Sequence, residues 1–221
     1  MTDQITAPSD PALGPTADPT TGPYAVPASR ERLEHVIAAL AERGVDAHIV
    51  SRDDVRAAVD ALIPDDSLVY TATSHTLDEL GVAADVRTAT RYRQTRAHTE
   101  TLDPATQMDE FRRHVSTMDV IVGSVHAVTE DGHVVVASAS GSQIAAYAFG
   151  AGRVIWVVGA QKVVTDLDDA FARIEQHSLP LEDRRLQAAY GMPSYIGKQL
   201  VISRDQPGRS TMLLLEDAVG F

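Results

Sequence analysis

Residues 154–158 read Val-Ile-Trp-Val-Val, and Gly159-Ala160-Gln161-Lys162 follow at once. Five apolar side chains in a row leave no polar face, so the run is expected as a strand in a sheet covered on both sides. Such a strand belongs to an α/β protein, and the flanking sequence alternates helix and strand signals accordingly. Downstream, Thr165 and Asp168 offer a capping box to a helix whose inward face is Leu167, Ala170, Phe171 and Ile174. Pro180 opens a further helical stretch toward Tyr190. Residues 200–203 and 212–215 read as a closing hairpin turned at Pro207-Gly208.

Working upstream, residues 142–149 read as a helix stopped by Gly150, and 120–122 as a buried strand. Residues 127–137 read as two strands around Asp131-Gly132, a dipeptide that accepts the positive φ of a two-residue type I′ turn. That register sets His133 opposite Glu130 and His126 opposite Ala137. Asp103-Pro104 looks like a cap followed by a first-turn proline, opening a helix to about Thr117. Residues 68–73 are a strand, and Thr76 with Glu79 is read as capping the short helix before Gly81. Ser51 with Asp54 opens the helix of Val55, Ala58, Val59 and Leu62, after a strand at 47–50. Leu33, Val36, Ile37 and Leu40 recur at helical spacing until Gly44.

Residues 1–27 carry six of the 11 prolines among Thr, Ala, Asp and Gly, too little apolar surface to offset ordering entropy. They are expected as a disordered tail. The remaining 28–221 are expected as a single α/β domain, its mixed and mostly parallel sheet flanked by helices.

Charge excludes several classes. With 19 Lys+Arg against 31 Asp+Glu, the formal net charge of −12 repels phosphate backbones, so nucleic acid is not an expected partner. The absence of cysteine removes disulfides, thiol catalysis and thiolate-held zinc or iron–sulfur centres from this chain. No apolar run approaches the roughly 18 residues of a membrane span and no signal-peptide pattern opens the sequence. A cytoplasmic protein is expected.

Two strand-to-helix junctions carry the strongest site signal. In the first, Ser138-Ala139-Ser140-Gly141-Ser142-Gln143 opens into a helix, where small residues admit a ligand and first-turn N–H groups face an anion. Ser138, Ser140 and Ser142 add hydroxyls, and Gln143 an amide. The second is Gly159, Gln161 and Lys162, the last being one of two lysines in the chain. Both junctions fall at the carboxyl ends of expected strands, where open α/β sheets bind ligands. Plain connecting turns with a solvated Lys162 are the alternative. Glu130 and Asp131 are weaker candidates for acid–base work, since a hairpin tip usually faces solvent. Tyr92-Arg93-Gln94-Thr95-Arg96 offers two arginines to an anion or is a surface loop. No metal site is expected: the hairpin register separates His126 from His133, and His75 and His98 have no carboxylate at ligand spacing on a common helix.

An ordered set then becomes visible: His126-Ala-Val-Thr-Glu-Asp-Gly132, Gly141-Ser-Gln-Ile-Ala-Ala-Tyr-Ala-Phe-Gly150, and Val157-Val-Gly-Ala-Gln-Lys-Val-Val164. Leu179-Pro180-Leu181-Glu182, Tyr190-Gly191 and Gly220-Phe221 extend it. In order and spacing it resembles the LUD domain family, which includes lactate-utilisation protein C, from about Leu68 onward. The resemblance implies a fold similar to the ribose-5-phosphate isomerase and CoA-transferase group. It also implies an accessory role in oxidising L-lactate, or a related organic acid, to pyruvate beside iron–sulfur oxidoreductase subunits. The chain would hold a small anionic ligand and no cofactor of its own. The alternatives are a stand-alone enzyme on a phosphosugar or CoA thioester, or a non-catalytic binding module. Many relatives carry Asn where His126 stands, and Gly-Asn-Arg in place of Gly141-Ser142-Gln143, so the arginine fork those relatives offer an anion is missing here.

Overall fold

The computed structural model describes residues 20–103 and 105–221. Its strands are β1 (Val45–Ile49), β2 (Leu68–Thr71), β3 (Arg93–Gln94), β4 (Met118–Gly123), β5 (Ala127–Thr129), β6 (Val134–Ser138), β7 (Ala151–Gly159), β8 (Val163–Val164), β9 (Lys198–Ile202) and β10 (Ser210–Leu215). The α-helices are α1 (Arg30–Glu42), α2 (Val55–Leu62), α3 (His75–Glu79), α4 (Val82–Thr88), α5 (Arg96–Thr99), α6 (Met108–Ser116), α7 (Ser142–Ala145), α8 (Leu167–Arg173) and α9 (Leu179–Tyr190).

Six strands in the order β1-β10-β7-β4-β2-β3 form a wholly parallel sheet. Its central strand β7 contains the 154–158 run, and successive side chains alternate faces as a pleat requires. Val154, Trp156 and Val158 pack on one side with Met212 and Leu214 of β10 and with Leu33, Val36 and Leu40 of α1. Ile155 and Val157 pack on the other with Leu213, Leu215, Val55 and Val59 of α2, and Val82 and Val86 of α4. Burial on both faces is why β7 shows no polar alternation.

The expected single mixed sheet is two sheets. A smaller one, β8-β5-β6-β9, lays Val128, Val134, Val136 and Ile202 against the α1 side of the first. Its outer face, with Ala127, Val135 and Val164, is covered by Ala170 of α8 and Ile174. The expected closing hairpin is corrected by this division. β9 pairs antiparallel with β6 in the small sheet, whereas β10 crosses over and inserts parallel between β1 and β7.

The β5–β6 turn also differs from expectation. Ala127 faces Val135 and Val128 faces Val134, so residues 130–132 form a three-residue loop with Gly132 at φ +87°. Gly132 N donates to Thr129 O, and Thr129 N to His133 O. The left-handed residue comes third, and the register shifts by one from the two-residue turn. Ser74, not Thr76, caps α3 through Leu77 N. Asp166 caps α8 by accepting from Asp169 N, while the Asp169 carboxylate accepts from Thr165 N. α6 starts at Met108, with Asp103 closing a separate turn before it.

Of the expected tail, residues 1–19 lie outside the described residues. Residues 23–27 are ordered against the domain. Pro23–Ala25 form a 3-10 turn, and the Tyr24 hydroxyl donates to Asp169 Oδ1 at 2.8 Å. Tyr24 supplies the apolar area that the prolines lack, packing on the cluster under α8.

The segment following α7 (Ala146–Gly150) winds as a π turn, leaving carbonyls free of the ordinary helical ladder. Arg209 collects them: its guanidinium donates to Ala146 O, Tyr147 O and Ala151 O and pairs with Asp205 at 2.7 Å. Both partners are about nine-tenths buried. Arg209→Ala removes the cation from a nearly buried ion pair and the shared donor of three carbonyls, leaving Asp205 only Ser210 Oγ and Gln206 N, and it is expected to cost about 3 kcal/mol in urea unfolding. A loss under about 1 kcal/mol would contradict this bracing role.

Candidate functional site

The carboxyl ends of β2 and β4 open into a cavity of about 400 Å³, within the range of small-ligand pockets. Three connections meet there: residues 72–76 after β2, Ser124-Val125-His126 after β4, and 138–143 after β6. α9 and Ser194-Tyr195-Ile196 complete the wall, with Phe221 at one side. The crevice thus lies where parallel α/β sheets place their ligands, beyond the strand ends.

Lys162 reaches the cavity from the 3-10 turn Ala160–Lys162, and its side chain is almost wholly buried (1% exposed). Its ammonium nitrogen donates to Thr76 Oγ1 at 2.9 Å and to Ser124 Oγ at 3.1 Å. Among the described residues no carboxylate lies within 4 Å of it. Burial, reinforced by the Arg173 guanidinium, pushes its pKa well below the ordinary lysine value, with Glu79 opposing. Lys162 thus stands at the cavity, and the alternative of a solvated side chain in a plain connecting turn does not hold.

Arg173 lies fully buried behind the cavity wall. It donates to Gln161 O, His126 O and Ser178 Oγ, and burial lowers its pKa to about 9. His126 lines the cavity, and its Nδ1 accepts from Ala137 N at 3.1 Å. Burial, with the two cations nearby, pushes its pKa down to about 3, so the imidazole is neutral at pH 7 and carries its proton on Nε2. That Nε2–H is a donor with a fixed tautomer. Tyr147 completes this wall, and only a glycine at 123 leaves it room: a Cβ there would stand 1.7 Å from the tyrosine oxygen.

The residues expected to bind a ligand divide. Ser138, Ser140, Ser142, Gln143 and Lys162 line the one cavity; Gly141, Gly159 and Gln161 do not. The first junction's N–H groups are already occupied, since Gly141 N donates to Ser138 Oγ and Ser142 N to Ser140 Oγ. Ser138 and Ser142 in turn donate to Gln143 Oε1 at 3.1 and 3.3 Å. The turn holds itself together, which corrects the picture of free amides awaiting an anion. Gly159 is small because Gln161 and Val219 crowd it, and Gln161 clamps the chain end by donating to Val219 O and Gly220 O.

Glu130 and Asp131 are not cavity residues. Glu130 pairs with Arg32 of α1 at 2.8 Å, and Asp131 with Arg43 at 3.1 Å. The Thr129 hydroxyl and His133 hold the Asp131 pKa down to about 2, which disfavours a role as base. The expected acid–base role is thereby corrected: both fasten the hairpin to α1. Of the two arginines in 92–96, Arg96 donates to Thr71 O and Thr73 Oγ1 at the cavity rim. Sequence reasoning missed Thr76, Ser124, Arg185 and Glu182. Arg185 and Glu182 face the cavity from α9 as a two-pronged ion pair, both contacts 2.7 Å. Their three-residue spacing on one helix was the available signal.

A family model for the LUD domain matches residues 33–212. The chain belongs to the LUD domain family, a family linked to lactate utilisation. A crystal structure of a DUF162 family protein from Deinococcus radiodurans is similar in fold, with a TM-score of 0.53 at 13% sequence identity. The match covers 86% of this chain and 99% of that one. No curated protein matches the sequence. Among the described residues, no helix is long and apolar enough to cross a membrane.

The His126 environment gives a signed pH dependence. The ordinary imidazole pKa is 6.5 and the folded one about 3, so between those values the unfolded chain binds a proton that the folded chain refuses. Stability contributed at neutral pH is lost as pH falls through that window, by at most about 1.4 kcal/mol per unit. From about pH 6.5 to about pH 4.5, wild type is expected to lose about 2 kcal/mol more than His126→Gln in urea titrations. Parallel losses in the two proteins would mean that His126 is not held neutral.

Proposed function

We propose that this LUD-domain protein is an accessory subunit in the oxidation of L-lactate, or a related organic acid, to pyruvate. In this reading it holds a small carboxylate in the cavity against Lys162. The observation that carries the reading is the Lys162 amine: buried at the cavity wall, bonded to two hydroxyls and, among the described residues, lacking a carboxylate partner within 4 Å. A ligand carboxylate would supply the missing negative charge and favour protonation of the amine, so binding is coupled to proton uptake. The Nε2–H of His126 and the hydroxyls of Thr76 and Ser124 can turn toward the ligand's oxygens. With no cysteine to hold a cluster, the chain would pass the redox step to iron–sulfur partner subunits.

The parallel sheet with its cavity at the strand ends also supports the finer fold reading, similarity to the ribose-5-phosphate isomerase and CoA-transferase group. With it stands the second functional reading, an enzyme acting alone on a phosphosugar or CoA thioester. Its base would be the Lys162 amine, since Glu130 and Asp131 are tied to α1.

Thermal melting with L-lactate, pyruvate, ribose 5-phosphate and CoA separates the two. On the leading reading an organic acid at one hundred times its dissociation constant stabilises the wild type by about 2.7 kcal/mol. Lys162→Met is expected to fold with undiminished stability, because an apolar chain of similar length replaces a buried amine, and to lose the shift. Glu130→Gln keeps it. Stabilisation by the phosphorylated compounds alone would replace the leading reading with the second.

A further inference from the structure

Outside the cavity, α5 and α6 bring together three side chains that neither the family nor the fold accounts for. His98 on α5 places Nε2 3.1 Å from Glu110 Oε1 on α6. One turn along α6, His114 Nε2 approaches the same oxygen at 4.0 Å. The two imidazole rings stand edge to face with centroids 4.6 Å apart. All three donor atoms lie within 4.8 Å of one another. The expectation that His98 lacks a carboxylate held only for a single helix; the carboxylate comes from the next one.

We propose that His98, Glu110 and His114 form a binding site for a divalent transition-metal ion of the zinc type. Donors at about 2.0–2.1 Å from a tetrahedral ion stand about 3.3 Å apart, so the His98–Glu110 spacing already fits. His114 has to close by less than an ångström on the shared oxygen and by at most about 1.5 Å on the His98 donor, within reach of side-chain rotation on a partly exposed surface. His114 Nε2 stands too far from Glu110 Oε1 to hydrogen-bond it, and an ion seated between the three groups would give both imidazoles and the carboxylate a common partner. Gln107 Nε2 donates to the other carboxylate oxygen at 3.4 Å, an outer contact of the kind that orients a metal-ligating carboxylate. Two imidazoles and a carboxylate select zinc, nickel, cobalt or copper over magnesium and calcium, which take all-oxygen shells. The three side chains are 38–49% exposed, so water can fill the fourth position and little desolvation opposes entry. The ion would bolt α5 to α6 across residues 100–107. Because α5 also presents Arg96 to Thr71 and Thr73, it would brace one rim of the cavity as well.

The test is calorimetric titration of the untagged full-length chain with zinc, and with magnesium and calcium as comparison ions. One equivalent of zinc is expected to bind, with magnesium and calcium inactive. Affinity should fall at least tenfold in each of His98→Ala, Glu110→Gln and His114→Ala, while His48→Ala on β1 retains it. Cobalt(II) absorption in the visible range, lost in the same three variants, reports the donor set directly. Circular dichroism of the variants should be unchanged, as the three side chains are partly solvent-facing. Absence of stoichiometric zinc binding, or binding that survives His98→Ala and His114→Ala, overturns the proposal.

Discussion

Two cations buried side by side, Lys162 and Arg173, set the terms for the region where the sheets meet. Neither has a carboxylate within ion-pair distance among the described residues, so hydroxyls and backbone carbonyls must offset the cost of removing them from water. Lys162 engages Thr76 from α3 and Ser124 after β4; Arg173 engages the carbonyls of Gln161 and His126. The four contacts belong to three chain segments, the connections after β2, β4 and β7. The seam between the sheets is thus defined by polar contacts at one end, while its length is filled by valine, leucine and Trp156. Burial lowers both pKa values, and the Arg173 charge adds to the effect on Lys162, which leaves the cavity wall poised toward a neutral amine.

The sequence was informative wherever the signal was local. The apolar run at 154–158 marked a strand covered on both faces, and β7 is that strand. Helical periodicity at Leu33, Val36 and Leu40 marked α1. What failed was pairing. Residues 200–203 and 212–215 both read as strands, and a short Pro-Gly connection made a hairpin the economical reading. Yet the inward pattern of β10, Met212-Leu213-Leu214-Leu215, is buried on both faces like β7. A half-buried hairpin strand would alternate, so the clue to a central parallel position was present. The β5–β6 register failed for a local reason: Gly132 takes the third loop position, and type I turns ending in a left-handed glycine use the same residues as the two-residue turn.

The site was half legible for the same reason. Lys162 stood out by rarity, and the serine-rich junction by its small side chains, and both do line the cavity. Their partners are distant in sequence: Thr76 lies 86 residues from Lys162 and Ser124 lies 38. No spacing rule reaches that far. Gly159 and Gln161 were read as ligand-facing because they sit at a strand end, yet the chain end occupies that space first, tied down by Gln161. His126 was set aside as a metal ligand by the expected hairpin register, and no local signal showed that its Nδ1 completes the backbone of β6 at Ala137.

Charge then constrains what the cavity can hold. The molecule carries a net −12, so its far field slows the approach of an anion, and retention must come from contacts inside. Inside, Arg185 is matched by Glu182, leaving Lys162, among the described residues, as the lining cation without a paired carboxylate. One amine compensates one negative charge. A monocarboxylate asks for no more than that, whereas a phosphosugar brings nearly two charges and CoA several, each left to hydroxyls and to an imidazole held neutral. The electrostatic arithmetic is thus consistent with the proposed monocarboxylate ligand. A second full positive charge beside Lys162 would push its amine still further toward the neutral form, as the Arg173 guanidinium already does in part.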